Sequence, residues 1–505
     1  MKSVWSVAQI RAAEAKATAS TGSDALMQRA AYGLSIHCGH TLGRVYGARV
    51  VMLIGAGNNG GDALYAGVQL LSRGAAVHAV LLSPDRVHRG GVLAFACAGG
   101  TVGTADGAAD RLARADLVVD GIVGIGGSGP LRAPADALVE QLRCPVVAVD
   151  VPSGVDADTG HVAGAAVSAT RTVTFGGVKA GLVVGAGVEH SGRVELVDIG
   201  LGPYLDHPLV SVLEAADVAG LLPVPRPGDD KYSRGVVGVA SGSATYEGAA
   251  VLSVGGALRA KAGMVRYAGS ATHAVRARWP EAVVTDGRPA DAGRVQAWVI
   301  GSGLGTDDHA RSLVVEVLDT DVPVVVDADA LTLVAKEKQL VRSRIAPTVL
   351  TPHDREFERL FGPVGEDRLG AARRAAADIG ATVLLKGQAT IVAAPDGRAF
   401  VNPTGSGWLA TAGTGDVLAG VAGAFLAAGG DPAAAAAAAA YVHGLAGAIA
   451  AGARDPMSTA TGAPIIAIDV VDALPAATRS IRSNGGGWRL FHFWDKNGSV
   501  HAFTV

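Results

Sequence analysis

The chain runs one alternation twice. Beginning at Ala48, the short apolar runs RVVMLIGAG, AAVHAVLL, DLVVDGIVG and PVVAVDV follow one another, separated by segments of helical patterning. Strands this apolar are buried on both faces, and strands joined through helices run parallel with right-handed crossovers, so the first half is predicted to form a parallel sheet covered on both sides. Ahead of it, residues 7 to 46 carry two helical patterns that can cap such a sheet. The second half restarts with GVVGVASG, QAWVIGSGLG, VPVVVDADAL, PTVLTPH and ATVLLKG, then ends in long helices after Thr414. Between the halves, LGPYLDHPLV and LLPVPRPGDDKYS carry five prolines, which no central strand or helix interior accommodates. A domain boundary is expected near residue 210. With 505 residues, 49% of them apolar, the chain is too long for one core and suits two domains of about 200 to 270 residues.

Composition removes several classes of function. Three cysteines without a CxxC pair, Cys38, Cys97 and Cys144, exclude a disulfide scaffold and a cysteine-rich zinc site, and point to a reduced, cytoplasmic setting. A net charge of -3 with no local cluster of Lys and Arg offers no field for a phosphate backbone, so no nucleic-acid partner is expected. At the amino terminus, Gln9, Arg11 and Glu14 interrupt the apolar character before an export signal could form. Pro432 to Ala453 is uncharged over the length of a span, but it is mostly alanine with His443 in the middle, and a buried helix is the better reading than a membrane segment. Residues 481–505 form an aromatic-rich tail to which no role is assigned; a docked strand pair, a subunit contact and a read-through segment all remain open.

In the first half, Gly55-Ala56-Gly57-Asn58-Asn59-Gly60-Gly61-Asp62 lies directly between a strand and a helix pattern. Glycines there let backbone amides approach a phosphate at a helix amino terminus. GAGNNG formally satisfies GxGxxG, so a nicotinamide-dependent dehydrogenase has to be weighed. Against it, the next strand ends Leu81-Leu82-Ser83-Pro84, with Asp85 too late to hold a ribose. Two more strand ends reach the same crevice. One ends in Asp120, followed by Gly124-Ile125-Gly126-Gly127-Ser128-Gly129-Pro130, and the other in Asp150-Val151-Pro152-Ser153-Gly154. Oxygens of Asn59, Asp120 and Ser153 could enclose a hard cation, although each aspartate alone could equally be a turn or helix cap.

NNGGD after a strand, then VDGIVGIGGSGP, then VDVPSGVDADTG resembles the amino-terminal epimerase domain of the bifunctional NAD(P)HX repair enzymes, over roughly residues 5 to 205. The resemblance implies a Rossmann-like, doubly wound parallel sheet. It implies that Asn58, Asn59, Gly60, Gly61, Asp62, the loop Gly124 to Pro130 and Asp150 contact the hydrated dinucleotide, and that Asn59, Asp120 and Ser153 hold potassium. Ala63 stands where the family usually has glycine. Inversion at a hydrated ring carbon needs an acid and a base; Asp150 is the candidate, with Lys179 of TFGGVKAG second. Lys179 can also be read as a solvated surface lysine.

The strongest motif of the second half is NPTG at Asn402 to Gly405, leading to Ala412-Gly413-Thr414-Gly415-Asp416. A glycine turn opening a helix makes an anion hole, and an aspartate just inside it can take a proton from a hydroxyl attacking a phosphoryl group. A first-turn dipole partner would explain Asp416 but not the glycines on both sides of Thr414. With KYSRGVVGVASGS, GSGLG, TPHDREFERL and KGQATIVA, this half resembles the ADP-dependent (S)-NAD(P)HX dehydratase domain, of ribokinase-like α/β fold, over about residues 212 to 478. The resemblance implies that Lys386, Gly387, Gln388, Ala389, Thr390 and Gly415 bind the adenine nucleotide, and that Ala249, Gly303, His353 and Asp416 bind the hydrated cofactor. His353 alone could be a capping residue before the helix that Asp354 starts, and Trp408 stands where the family often has methionine. Asp327 and Asp329 could help place magnesium or could cap a strand end.

The expectation is therefore a bifunctional isomerase and lyase: an epimerase over 1–210 and a dehydratase over 211–480, acting on NADHX and NADPHX with ADP as co-substrate and potassium and magnesium as cofactors. A cytoplasmic homo-oligomer is expected. Two rivals stand beside it. One is a ribokinase-like kinase of a small alcohol or vitamin precursor, and the other a first domain that binds a dinucleotide without catalysis.

Overall fold

The computed structural model describes residues 1–127, 129–222, 225–456, 461–483, 490–494 and 500–504. It divides into two compact units, Ser3–Val210, and Met1–Lys2 with Ser211–Val505.

The first unit is built on seven parallel strands in the spatial order Thr101–Thr104, Ala76–Leu81, Arg49–Ile54, Leu117–Gly121, Val146–Val149, Arg171–Phe175, Arg193–Val197. The chain starts in the middle at Arg49–Ile54, winds outward one way, then returns to lay Leu117–Gly121 on its other side. Connections leave for opposite faces at that point and open a crevice beyond the strand ends. This is the doubly wound parallel sheet expected from the alternation. Helices Val7–Thr21, Ser23–Leu42 and Asn58–Ser72 cover one face, packing Ile10, Leu34 and Leu64 against Met52 and Ile54. The opposite face buries Leu53, Val80 and Val118 under Leu112 and Leu138.

The second unit repeats the principle with Val283–Thr285, Met264–Ala268, Val236–Ala240, Ala297–Ile300, Val324–Val326, Thr348–Leu350 and Thr382–Leu385, all parallel. Ile391–Ala393 and Ala399–Val401 then extend the sheet as antiparallel neighbours. Its reversal of winding lies between Val236–Ala240 and Ala297–Ile300. Helix Thr414–Ala427 is buried along nearly its whole length because glycines let it touch helix Glu247–Ala260 backbone to backbone. A methyl at Gly256 would lie 2.4 Å from the Val417 carbonyl oxygen, and one at Gly420 only 2.0 Å from that of Ser253. The contact brings the amino-terminal turns of two helices to one sheet edge. Helix Pro432–Ala451 is long and apolar enough to cross a membrane by length and composition alone, but 83% of its most apolar window is buried inside the fold. Alanine and glycine keep it thin enough to pack there, with Gly444 against Thr404 and Gly447 against Leu409.

In the tail, strands Leu490–Trp494 and Val500–Thr504 pair antiparallel, Leu490 opposite Thr504. The rest of residues 484–505, and their side chains, lie outside the described residues.

Gly420→Ala is expected to force the two helices apart and lower the stability of the second unit by about 1–3 kcal/mol, the usual cost of overpacking a filled core. Calorimetric unfolding would register it as a lower transition temperature.

Candidate active sites

In the first unit, the crevice at the winding reversal is lined by all three strand-end segments singled out in the sequence. Gly55 follows the central strand so closely that a methyl there would sit 1.9 Å from the Ile122 carbonyl oxygen. Gly57, at φ 91°, then opens the helix that starts with Asn58, and Asn58, Asn59, Gly60, Gly61 and Asp62 make up its first turn and a half. No side chain caps this helix, so its first amides are free to meet an anion. Asn59 lies on the second glycine loop, with its Oδ1 2.8 Å from where a β-carbon on Gly124 would stand. Its Nδ2 is buried without a hydrogen-bond partner. Ser128 of that loop lies outside the described residues.

Asp120 is fully buried. Its Oδ1 accepts the Ser153 hydroxyl at 2.6 Å and the Ile122 amide at 3.2 Å, and its Oδ2 accepts the Ser153 amide at 2.8 Å. Burial pushes this carboxyl up to about 6, with the Ser153 and Ile122 donors pulling the other way. Among the described residues no cation faces it. Asp150 occupies left-handed backbone space at φ 66°, unusual for a residue with a side chain and a mark of a site held by its surroundings. Its Oδ1 accepts from Lys179 Nζ, from Thr174 Oγ1 at 3.1 Å and from the Phe175 amide at 3.2 Å. Lys179 is 1% exposed, which overturns its reading as a solvated surface lysine. Its ammonium spends its other two donors on Thr174 Oγ1 at 3.1 Å and the Phe175 carbonyl at 2.9 Å.

Two residues of helix Val7–Thr21 join this crevice without having been singled out as site candidates. Arg11 donates to the Ile125 carbonyl at 3.1 Å, on the glycine loop. Glu14, one turn further on, is raised in proton affinity by burial and by Asp150, while Lys179 and Arg11 act against the rise. The sequence signal was faint: polar residues three apart on a helix that otherwise reads as a cap.

In the second unit, predicted residues from four segments meet in two pairs, Ala249 with Gly303 and Lys386 with Gly415. A β-carbon on Gly303 would stand 2.8 Å from that of Ala249, so these two candidates meet. Gly413, at φ 88°, turns the chain into helix Thr414–Ala427, and Lys386 Nζ approaches Gly415 at its start, 3.5 Å from where a β-carbon would be. Lys386 donates to Asp327 Oδ1 at 2.9 Å and lies 3.6 Å from Glu356 Oε2. Burial opposes its charge, but Asp327 and Glu356 outweigh that and raise its proton affinity. Of the rest of its loop, Gly387 and Gln388 are exposed while Ala389 and Thr390 are buried. Arg368 ties the loop down, donating to the Lys386 carbonyl at 3.0 Å while both of its Nη groups bond Asp354.

Asp416 is half-buried in the first turn of its helix. Burial and the negative charge of Asp327 push its carboxyl up to about 7, with a hydrogen bond from Ser302 and the Lys386 charge pulling back. His443, buried in the alanine helix, contacts the Thr414 carbonyl through Nε2 at 2.9 Å; burial pushes it down to about 4, so it is neutral and donates. His353 caps the helix beginning at Asp354: Nδ1 accepts the amides of Arg355 and Glu356, and Glu356 Oε2 accepts the His353 amide at 2.8 Å. Glu356 was not singled out in the sequence, although its place three residues after the cap is a capping-box signature. Asp327 and Asp329 are both engaged. Asp327 accepts from Thr351 at 2.7 Å and Ser302 at 3.2 Å besides Lys386, and Asp329 accepts the Gly305 amide at 2.9 Å. Trp408 donates to the Thr461 carbonyl at 3.0 Å, beside the NPTG turn that Asn402 fastens to helix Pro432–Ala451.

Residues 237–465 match the family described as NAD(P)H-hydrate dehydratase, and residues 23–181 the family described as YjeF-related protein N-terminus. The bifunctional NAD(P)H-hydrate repair enzyme Nnr of Mycobacterium tuberculosis strain ATCC 25618 / H37Rv is 54% identical over 437 residues, which cover 85% of this chain and 90% of that protein. Its counterpart in Mycobacterium leprae strain TN is 52% identical, over 88% of this chain and 93% of that one. The solved ADP/ATP-dependent NAD(P)H-hydrate dehydratase from Bacillus subtilis, co-crystallized with ATP/Mg2+, is 30% identical with a TM-score of 0.47, covering 54% of this chain and 99% of that chain. Fold and sites together define a two-part nucleotide enzyme, one part a doubly wound sheet with glycine loops at its crevice, the other an aspartate in a glycine turn beside a buried lysine. The chain belongs to the family of bifunctional NAD(P)H-hydrate repair enzymes, which join an epimerase to a dehydratase.

Lys386→Met is expected to leave Asp327 buried without its cation and to lower stability by about 3 kcal/mol. Urea denaturation of the variant beside the parent protein would measure the loss.

Proposed function

We propose that this NAD(P)H-hydrate repair enzyme divides its work between an epimerase over residues 1–210 and a dehydratase over residues 211–480. The first interconverts the R and S hydrates of NADH and NADPH, and the second returns the S hydrate to the reduced cofactor with ADP as phosphoryl donor. The observation that carries the dehydratase half is Asp416, a carboxyl with its midpoint at about 7 at the mouth of a glycine-turned helix beside Lys386. A base poised near neutral pH serves proton removal best.

In this reading Asp416 takes the proton of the ring hydroxyl, whose oxygen attacks the terminal phosphorus of ADP and releases AMP. The ring nitrogen's lone pair then breaks the carbon–oxygen bond of the new ester and expels phosphate, and loss of a proton from the adjacent carbon restores the double bond. Phosphorylation turns a poor leaving group into a good one. Lys386 and the amides around Gly415 would face the phosphates, and Gly387, Gln388, Ala389 and Thr390 the rest of the nucleotide. Ala249, Gly303 and His353 would flank the hydrated ring's half of the site, Ala249 and Gly303 leaving room for it by their small size.

In the first domain, Asn58 to Asp62 and Gly124 to Pro130 would hold the dinucleotide, with Asp150 as base. Lys179 is assigned to orient Asp150, because its three donors are already committed. Potassium fits Asn59, Asp120 and Ser153: the set offers hard oxygens and one buried carboxylate that meets only neutral donors. Bound there, the ion would supply positive charge beside the glycine loop. Asp327 is neutralised by Lys386 and Asp329 accepts the Gly305 amide, so magnesium is assigned to the ADP phosphates. Three free cysteines are in keeping with a cytoplasmic location.

Purified protein given mixed R and S NADHX with ADP or ATP should consume both epimers and form NADH, followed by chromatography; a plain kinase would leave both untouched. Asp416→Asn should still bind nucleotide but lose dehydration by about 100-fold or more. Because the base must be ionised, dehydration in the parent enzyme should rise with pH through about 7, and an unchanged rise in Asp416→Asn would remove the assigned base.

A further inference from the structure

Inversion at the hydrated carbon needs a proton donor as well as the base Asp150, and Lys179 has no donor left to give. Among the described residues of the first domain, three acidic side chains are buried: Asp62, Asp120 and Asp150. Asp120 and Asp150 accept from the donors described above. Asp62 is different. It stands in the second turn of helix Asn58–Ser72, at the crevice, 9% exposed, and among the described residues its carboxyl makes no hydrogen bond and no ion pair. A buried carboxylate without partners is costly, and the group avoids that cost by keeping its proton.

We propose that Asp62 is the general acid of the epimerase, working across the crevice from Asp150. This rests on the epimerase reading of the first domain. The groups facing Asp62 support it. Burial, Asp150 and Glu14 of helix Val7–Thr21 raise its proton affinity well above that of an ordinary aspartate, and Lys179 offsets only part of the rise. Arg11 of the same helix is bound to the glycine loop, and His88, packed on Gly61, is occupied in accepting the Gly91 amide at 3.0 Å.

Asp62 gives its proton to the hydroxyl oxygen of the hydrate, the carbon–oxygen bond breaks, and water leaves as the ring nitrogen's lone pair forms a carbon–nitrogen double bond. A water molecule then adds to that carbon from the opposite face while Asp150 takes its proton. One water departs and one enters. Asp62 ends ionised and Asp150 protonated, and exchange with solvent restores both.

The test measures conversion of R to S NADHX by chromatography without nucleotide, across pH, above the uncatalysed rate. Asp62→Asn, nearly the same shape, should lose kcat by about 100-fold or more. The parent enzyme should lose kcat as pH rises through the raised Asp62 midpoint, since the acid must be protonated, and the variant should lack that alkaline limb. A variant within roughly threefold of the parent kcat, or one that keeps the limb, overturns the proposal. So does a parent profile without an alkaline limb, whatever the fate of the variant. A parent protein that epimerises nothing overturns the epimerase reading itself, which the parent measurement alone reveals.

Discussion

Removing a carboxylate from water at the end of a parallel strand demands a partner, and the way each aspartate meets that demand organises both halves of this protein. Asp120 is answered by the hydroxyl and amide of Ser153, Asp150 by Lys179, and Asp327 by Lys386, Thr351 and Ser302. These side chains are fixed, and with them the loops that carry them. Asp62 and Asp416 are held by far less. A carboxyl left in that state has its proton affinity raised, for Asp416 to about 7, where a proton can be given or taken. Fixed carboxylates shape the two crevices, and the proposed chemistry draws on one of them, Asp150, together with the loosely held Asp62 and Asp416.

The backbone makes this possible by close approach. In the first domain, Gly55 lets the phosphate-loop candidate pass over Ile122, and Asn59 then rests on Gly124. In the second, Gly256 and Gly420 let two helices touch without side chains between them, so that the turn holding Ala249 and the turn holding Asp416 open onto the same sheet edge. His443 reaches the Thr414 carbonyl from a helix thin enough, through its alanines, to lie alongside. The abundance of glycine and alanine is thus a packing solution.

The central strands were legible because they are buried on both faces and read as unbroken apolar runs, as in Arg49–Ile54 and Val324–Val326. Outer strands were not picked out. Thr101–Thr104 is largely exposed and Arg193–Val197 only half-buried, so neither reads as an unbroken apolar run, and Ile391–Ala393 and Ala399–Val401 are too short to stand apart from their turns. Motif residues with a glycine context were legible for the same reason that they fold: a glycine where backbones touch leaves a mark in the sequence. Arg11, Glu14 and Glu356 left no such mark, since a charged residue on a helix looks the same whether it faces solvent or a crevice. For His353 the structure shows the capping role that was one of its two sequence readings.

By itself the sequence determined the alternation of strands and helices, the two glycine-turned helix starts and the family to which the chain belongs, since these depend on local periodicity and on short motifs. Only the tertiary structure decided which charges are paired. That Lys179 is sealed against Asp150, that Lys386 stands between Asp327 and Glu356, and that Asp62 is buried with nothing to hold it are results of segments far apart in the chain meeting at one edge. Desolvation depends on that three-dimensional company, and no spacing of letters encodes it.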